Sequence, residues 1–265
     1  MSDADWITAA SLALPGRAHL SHLTRIRALG LDHGPLRPFH FTVSGDLHLA
    51  LPDVFLHRTE ALPPTDDVGV TPAAAFVQFC ATARVIDAIV VGDWLLNQRR
   101  MSVPEVAELA FHDSWRPGAR QALRVLPALD AASRSPKESE CRAIVVFAGL
   151  PPPESNVPLI VGGRRLGCVD LLLRRWMLVL EYEGRQHAET IAQFNIDITR
   201  YAGFRDAGID YIQFTQEMLR QPRALALRIH RKLIERGYDG PAPVFAGRWQ
   251  SLFEPIRALP RSAVD

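Results

Sequence analysis

Along the first half of the chain, apolar and polar positions alternate only in short pieces, such as the stretch beginning at Phe39 and residues 47–51. Prolines and the run Pro63-Pro64-Thr65-Asp66-Asp67 break them up. From about Thr71 the period lengthens. Pro72 suits a first helical turn, and residues 73–83 carry a helical pattern on towards Leu96. Ser102 with Glu105 predicts a capping box opening a short helix, and residues 120–129 predict another, with Pro127 near its end. The second half is more regular. Ser135-Pro136-Lys137-Glu138 combines a Ser cap, Pro at the first helical position and Glu at the third, and predicts a helix to about Ala148. Gly149 ends it, and Pro151-Pro152-Pro153 cannot continue it. Residues 156–161 read as extended, Gly162-Gly163 as a turn, and two apolar runs as strands. Further on, residues 189–207 predict a helix, residues 209–215 alternate as a strand, and residues 222–236 form a last helix stopping at Gly237. The order helix, three strands, helix, strand, helix packs helices on a mixed sheet. The expected fold class is α+β with two domains, residues 1–133 and 134–238, followed by a tail, 239–265.

The two apolar strands, 166–173 and 176–183, are interrupted by acids, which strands normally avoid. If Arg174-Arg175 makes a two-residue turn, Leu173 faces Trp176 and Asp170 faces Val179, so Asp170, Glu181 and Glu183 project from one face. Val169, Leu171, Leu173, Leu178, Leu180 and Tyr182 then form the core face. Asp170 and Glu181 become diagonal neighbours with backbones roughly 7–8 Å apart, close enough to hold one hard cation between them. The plainer reading makes Asp170 a frayed strand end and Glu181 and Glu183 solvent-side residues of an edge strand.

A chain of 265 residues, 48% apolar with net charge +1, is expected to fold rather than stay disordered, and has room for two domains. Lys137 and Lys232 are the only lysines, so the cationic side chains are almost all the forked donors that suit phosphate. Cys80, Cys141 and Cys168 are too scattered for a disulfide framework or a Cys-based zinc site, and fit a reducing cytoplasm. No stretch reaches membrane-spanning length, and the first residues lack signal-peptide character. His19, His22, His33, His40 and His57 lack the spacing of ligands on one element and read as scattered loop histidines.

These parts resemble, in their order, the PD-(D/E)XK nuclease superfamily, and within it the branch similar to very-short-patch-repair endonucleases. The matching positions are Glu138, Gly149-Leu150-Pro151-Pro152-Pro153, Asp170, Glu181-Tyr182-Glu183-Gly184, His187, and Asp197 with Arg200, spanning roughly residues 135–237. The resemblance implies that Asp170 and Glu181 hold Mg²⁺ or Mn²⁺, with the Tyr182 carbonyl as a further ligand. The superfamily's lysine is absent and Glu183 stands in its place, as an acid often does in this branch. His187 is then a candidate proton shuttle, and Glu138 a supporting catalytic residue. Without the resemblance, Glu138 is the returning half of a capping box with Ser135, His187 a loop histidine, and Asp197–Arg200 an i,i+3 surface pair.

Arg164, Arg165, Arg174, Arg175 and Arg185 flank the acidic strands, and with Arg200 they are candidate phosphate contacts on DNA. The N-terminal half is similar, more weakly, to actinobacterial type IV abortive-infection (AbiEi-type) antitoxin proteins. The similarity rests on Leu20-Ser21-His22, Leu31-Asp32-His33, His57-Arg58-Thr59, Gly69-Val70-Thr71-Pro72 and Asp93-Trp94-Leu95-Leu96, without room for their N-terminal winged helix. It implies contacts to a protein partner or substrate. The expected function is metal-dependent DNA cleavage in phage defence or repair. The alternative is a non-catalytic antitoxin or regulator that keeps the nuclease fold as a binding scaffold.

Overall fold

A computed structural model describes residues 2–184 and 200–258 and shows an α+β protein of two units, residues 1–129 with 254–265, and residues 130–253. The division falls between Leu129 and Asp130, and residues 239–253 belong with the second unit.

In the first unit, α1 (Asp3–Leu12), β1 (Ala18–Leu20) and α2 (His22–Arg27) precede β2 (Phe39–Ser44) and β3 (Val54–Thr59). The sheet order is β1-β2-β3, with β1 antiparallel and β3 parallel to β2. Phe39 and Phe41 on β2 join Ile7, Leu14 and Leu20 in one core cluster, against which Val54 and Leu56 of β3 pack. The strand expected at residues 47–51 is absent. The pairing segment begins at Val54, because the Phe39 N–H donates to the Asp53 carbonyl at 2.7 Å and so sets the parallel register.

Four helices follow, α3 (Pro72–Cys80), α4 (Val85–Asn97), α5 (Val103–His112) and α6 (Ala119–Val125). The pattern running from Thr71 towards Leu96 is therefore two helices rather than one. Arg84 is extended (ψ 155°) and pairs with Pro255, while Val85 N–H donates to Glu254 O and Ile256 N–H to Ala83 O. The returning chain thus takes backbone groups that a continuous helix would use itself. Gly118 sits at φ +92° with Val77 O only 1.9 Å from where a Cβ would lie, so α6 can start there only from glycine.

The second unit begins with α7 (Pro136–Phe147), capped by Ser135 Oγ accepting from Glu138 N–H at 3.2 Å. A hairpin of β4 (Glu154–Val161) and β5 (Arg164–Leu173) turns at Gly162-Gly163, both at positive φ, the pair that a tight two-residue turn requires. Then come β6 (Leu178–Tyr182), a helix over residues 200–206 that we label α8, and β7 (Asp210–Phe214). The unit ends with α9 (Gln216–Leu219), α10 (Pro222–Glu235) and α11 (Arg248–Leu252). Sheet order is β4-β5-β6-β7, antiparallel except for the β6/β7 pair.

The β5–β6 turn is longer than expected. Residues 174–176 form one 3₁₀ turn, Met177 sits at φ +46°, and Leu173 pairs with Leu178 rather than Trp176. The shift is two residues, so side-chain parity survives. Both faces of this hairpin are core, contrary to the single core face expected. Leu171, Leu173, Leu178 and Leu180 are buried on one face, and Leu172 and Val179 on the other, where Phe204 of α8 and Ile209 pack on them.

Candidate metal and nucleic-acid site

The opened end of the β5–β6 hairpin brings the two acids together. Backbone pairing runs from Leu173↔Leu178 to Leu171↔Leu180, which makes Asp170 and Glu181 the next opposed positions, directly across rather than diagonal. There the carboxylates replace the ladder. Tyr182 N–H donates to Asp170 Oδ2 at 2.8 Å, and Asp170 N–H donates to Glu181 Oε1 at 3.4 Å. β6 instead stays with β7 through Tyr182↔Phe214, and Glu183 N–H donates to Phe214 O at 2.8 Å. Alternate residues of a strand address opposite neighbours, so the polar backbone edge of Tyr182 looks towards Asp170. Its carbonyl lies on that same edge.

Glu181 is 5% exposed, and Arg200 Nη2 donates to its Oε1 at 2.7 Å and to Cys168 O at 2.7 Å. Burial first, and the neighbouring Asp170 carboxylate second, push the Glu181 carboxyl up to about 7 in spite of Arg200. Burial and then Glu181 also push the Tyr201 phenol up to about 12, so it remains a hydroxyl. Gln213, paired with Glu181 across β6/β7, uses its Nε2 to donate to Tyr201 Oη at 2.9 Å and to Glu183 Oε2 at 3.0 Å.

Glu138 is 7% exposed and stands behind the strands. Its Oε2 accepts from Arg134 N–H at 2.9 Å and from Asn156 Nδ2 at 2.6 Å. The capping-box reading needs correction. Ser135 does cap α7, but the Glu138 side chain reaches past it to Arg134. Asn156 lies between the pairs Ser155↔Leu171 and Val157↔Val169, opposite Asp170, and so connects Glu138 to the acidic strands. Asn156 is at φ +51°, a conformation that Asn tolerates better than most residues.

The remaining candidates are dispersed. His187, Asp197 and Arg185 lie outside the described residues, and only the backbone of Arg164 is described. Arg165 is exposed opposite Ile160. Arg174 forms a two-pronged ion pair with Glu154 at 2.7 and 2.6 Å, and Arg175 lies over the Trp176 ring, both at the closed end of the hairpin. Of the arginines singled out in the sequence, Arg200 is the one whose described side chain meets the acids, and it meets Glu181.

Two carboxylates beside a backbone carbonyl edge form a hard oxygen donor set, which suits Mg²⁺ or Mn²⁺ rather than a softer ion. Asp170 and Glu181 would hold the ion with the Tyr182 carbonyl, and Arg200 now supplies the positive charge at Glu181. Tyr201, Gln213 and Asn156 were not singled out in the sequence. Their roles depend on β6/β7 and β4/β5 registers that periodicity does not give.

In the first unit, three of the histidines taken for scattered loop residues come together. One ring nitrogen from each of His22, His40 and His57 lies within 4.8 Å of the others, and this is the one such group of three among the described residues. His40 and His57 are on strands, so the loop reading is overturned for them.

The chain matches no family model and no solved structure. It is similar to two curated proteins of Mycobacterium tuberculosis, "Uncharacterized protein Rv2248" of strain H37Rv and "Uncharacterized protein MT2308" of strain CDC 1551 / Oshkosh. Each is 27% identical over 199 residues, covering 71% of this chain and 73% of the relative.

Proposed function

We propose that the second unit is a Mg²⁺- or Mn²⁺-dependent nuclease module that hydrolyses DNA phosphodiester bonds. The observation that carries this reading is the splayed β5/β6 end, where the carboxylates of Asp170 and Glu181, on opposed positions of the two strands, each bond the opposite strand's backbone. A divalent ion bound there would polarise a phosphate oxygen and acidify a bound water. Asp170 and Glu181 position the ion. Glu138 holds the facing strand through Asn156, and the Tyr201 hydroxyl stands near Glu181 as a neutral donor. With Glu183 in place of a lysine, Arg200 is the candidate cation for the phosphate once it leaves Glu181.

That pairing also favours a second reading. With Glu181 buried and bound to Arg200, and Glu183 bound to Gln213, the same fold serves as a non-catalytic antitoxin or regulator scaffold for DNA or protein. The first unit contributes partner contacts in either case. Calorimetric titration with Mn²⁺ and a plasmid-nicking assay decide between the readings. Catalysis requires one ion per chain and nicking that Asp170→Ala and Glu181→Ala both abolish. Wild-type protein that binds no Mn²⁺ through Asp170 and Glu181 refutes the nuclease reading and leaves the scaffold.

A further inference from the structure

The parallel β2/β3 pair separates its residues by phase. Phe39, Phe41 and Val43 of β2 are buried on one face, with Val54 and Leu56 of β3 packed on that core. The opposite phase carries His40 and Thr42 on β2 and Phe55 and His57 on β3, joined by the registers His40↔Phe55 and Thr42↔His57. His22 at the start of α2 completes the group. Its ring stacks on His57 with centroids 3.7 Å apart and lies 5.4 Å from His40.

The three rings lie against one another, with His40 and His57 centroids 5.2 Å apart. His40 Nδ1 and His57 Nε2 are 2.9 Å apart and share one hydrogen, and His22 Nδ1 is 2.9 Å from Ser21 Oγ. Among the described residues, no acid pairs with any of the three. Burial, and for His22 and His57 the neighbouring imidazoles as well, lowers all three below the usual histidine range, His57 to about 4. Imidazole binds a metal ion in its neutral form. His22 holds this place at φ +52°, a costly conformation for a residue with a Cβ. Ser21, fully buried, fixes the His22 ring, as a supporting hydrogen bond does for metal-bound histidines. The trio opens on a cleft of about 450 Å³ whose other walls include Phe55, Val77 and Trp115.

We propose that His22, His40 and His57 form a binding site for one transition-metal ion of the zinc class, with the remaining coordination position facing the cleft. Imidazole nitrogen suits Zn²⁺, Co²⁺, Ni²⁺ or Cu²⁺ and not Mg²⁺. Three protein ligands with one position open is the arrangement that leaves room for a water or a small ligand. Tetrahedral Zn–N bonds place ligand nitrogens roughly 3.3 Å apart. The His40–His57 pair at 2.9 Å must widen slightly, and the His22–His57 stack must tilt open so that the ring planes converge. As the ion enters, the hydrogen shared by His40 and His57 moves to the other nitrogen of its own ring.

Co²⁺ serves as a visible stand-in for zinc, titrated into the metal-stripped full chain with equilibrium dialysis for stoichiometry. One equivalent should bind with the intense absorption of four-coordinate Co²⁺, and stoichiometric Zn²⁺ should displace it. His40→Ala and His57→Ala should each weaken binding by more than about 100-fold, since even loss of an outer partner costs 10–100-fold. His33→Ala removes a histidine paired with Asp87 outside the group, and should leave Co²⁺ binding intact. Paramagnetically shifted imidazole N–H signals from three histidines in the wild type decide the ligand set even where a variant fails to fold. No binding by the wild type, binding that survives both His→Ala changes in folded protein, or the weak spectrum of six-coordinate Co²⁺ would each overturn the proposal.

Discussion

Replacing Glu181 with Gln is expected to stabilise the protein above neutral pH and to leave it nearly unchanged at pH 5. The folded-state carboxyl is raised to about 7 from 4.5, so the folded protein holds a proton that the unfolded chain has released. Stability is then greatest below the unfolded value, declines as pH rises between about 4.5 and 7, and is flat beyond. About 2.5 units at 1.36 kcal/mol each gives a penalty of about 3 kcal/mol at pH 8.5 for ionising this side chain in place. Solvent screening barely reduces it, because the side chain is only 7% exposed. Glutamine resembles the protonated acid, can still accept from Arg200, and does not ionise. Urea unfolding and native-state hydrogen exchange of β6 amides, run on both proteins at pH 5.0 and 8.5, give the difference directly. The variant should gain about 2.5 kcal/mol over the wild type between those two pH values, because the unfolded carboxyl is already mostly ionised at pH 5. A variant less stable than the wild type at pH 8.5, or a pH-independent difference, refutes the reasoning, because the Arg200 pair would then outweigh burial and the Asp170 charge.

Arg200→Ala leaves Glu181 buried without its counter-charge, and should destabilise the second unit by about 3 kcal/mol at pH 8.5 but much less at pH 5. Urea melts at the two pH values test this, and Mn²⁺ calorimetry of the same variant should show tighter binding. Asn156→Gly keeps the φ +51° backbone and loses the amide bonds to Glu138 and to the Ala132 carbonyl, whereas Asn156→Ala loses both and adds left-handed strain of about 1–2 kcal/mol. Comparing their denaturation midpoints separates the two effects. Gly118→Ala drives a Cβ against Val77 O and should cost the first unit at least about 2 kcal/mol in thermal denaturation.

Local signals were legible where one short segment held the whole instruction. Ser135-Pro136 starts α7, Gly162-Gly163 turns the β4–β5 hairpin, and Pro222 starts α10. The shared face of Asp170 and Glu181 was legible too, because an error of two residues in the turn preserves parity. Pairing between distant segments was not. The acids' direct opposition depends on Met177 adopting φ +46°, and the split between α3 and α4 on a C-terminal segment some 170 residues away in sequence. His40 and His57 did show a local sign, each sitting at the polar phase of an apolar strand. Only the parallel register brings the two together, and His22 reaches them from a different element altogether.

Two donor sets of opposite character therefore occupy different units of one chain, and the difference makes them separable. Carboxylate oxygens at Asp170 and Glu181 prefer Mg²⁺ or Mn²⁺, ions that neutral imidazole binds poorly. The imidazoles of His22, His40 and His57 prefer zinc-class ions, which also have some affinity for carboxylates. Mg²⁺ at millimolar concentration should consequently saturate the acidic site without displacing Co²⁺ from the histidines, while the first equivalent of Zn²⁺ should enter the histidine site alone. If Mg²⁺ changed the spectrum of one equivalent of bound Co²⁺, the separation of the two sites by donor type would be refuted.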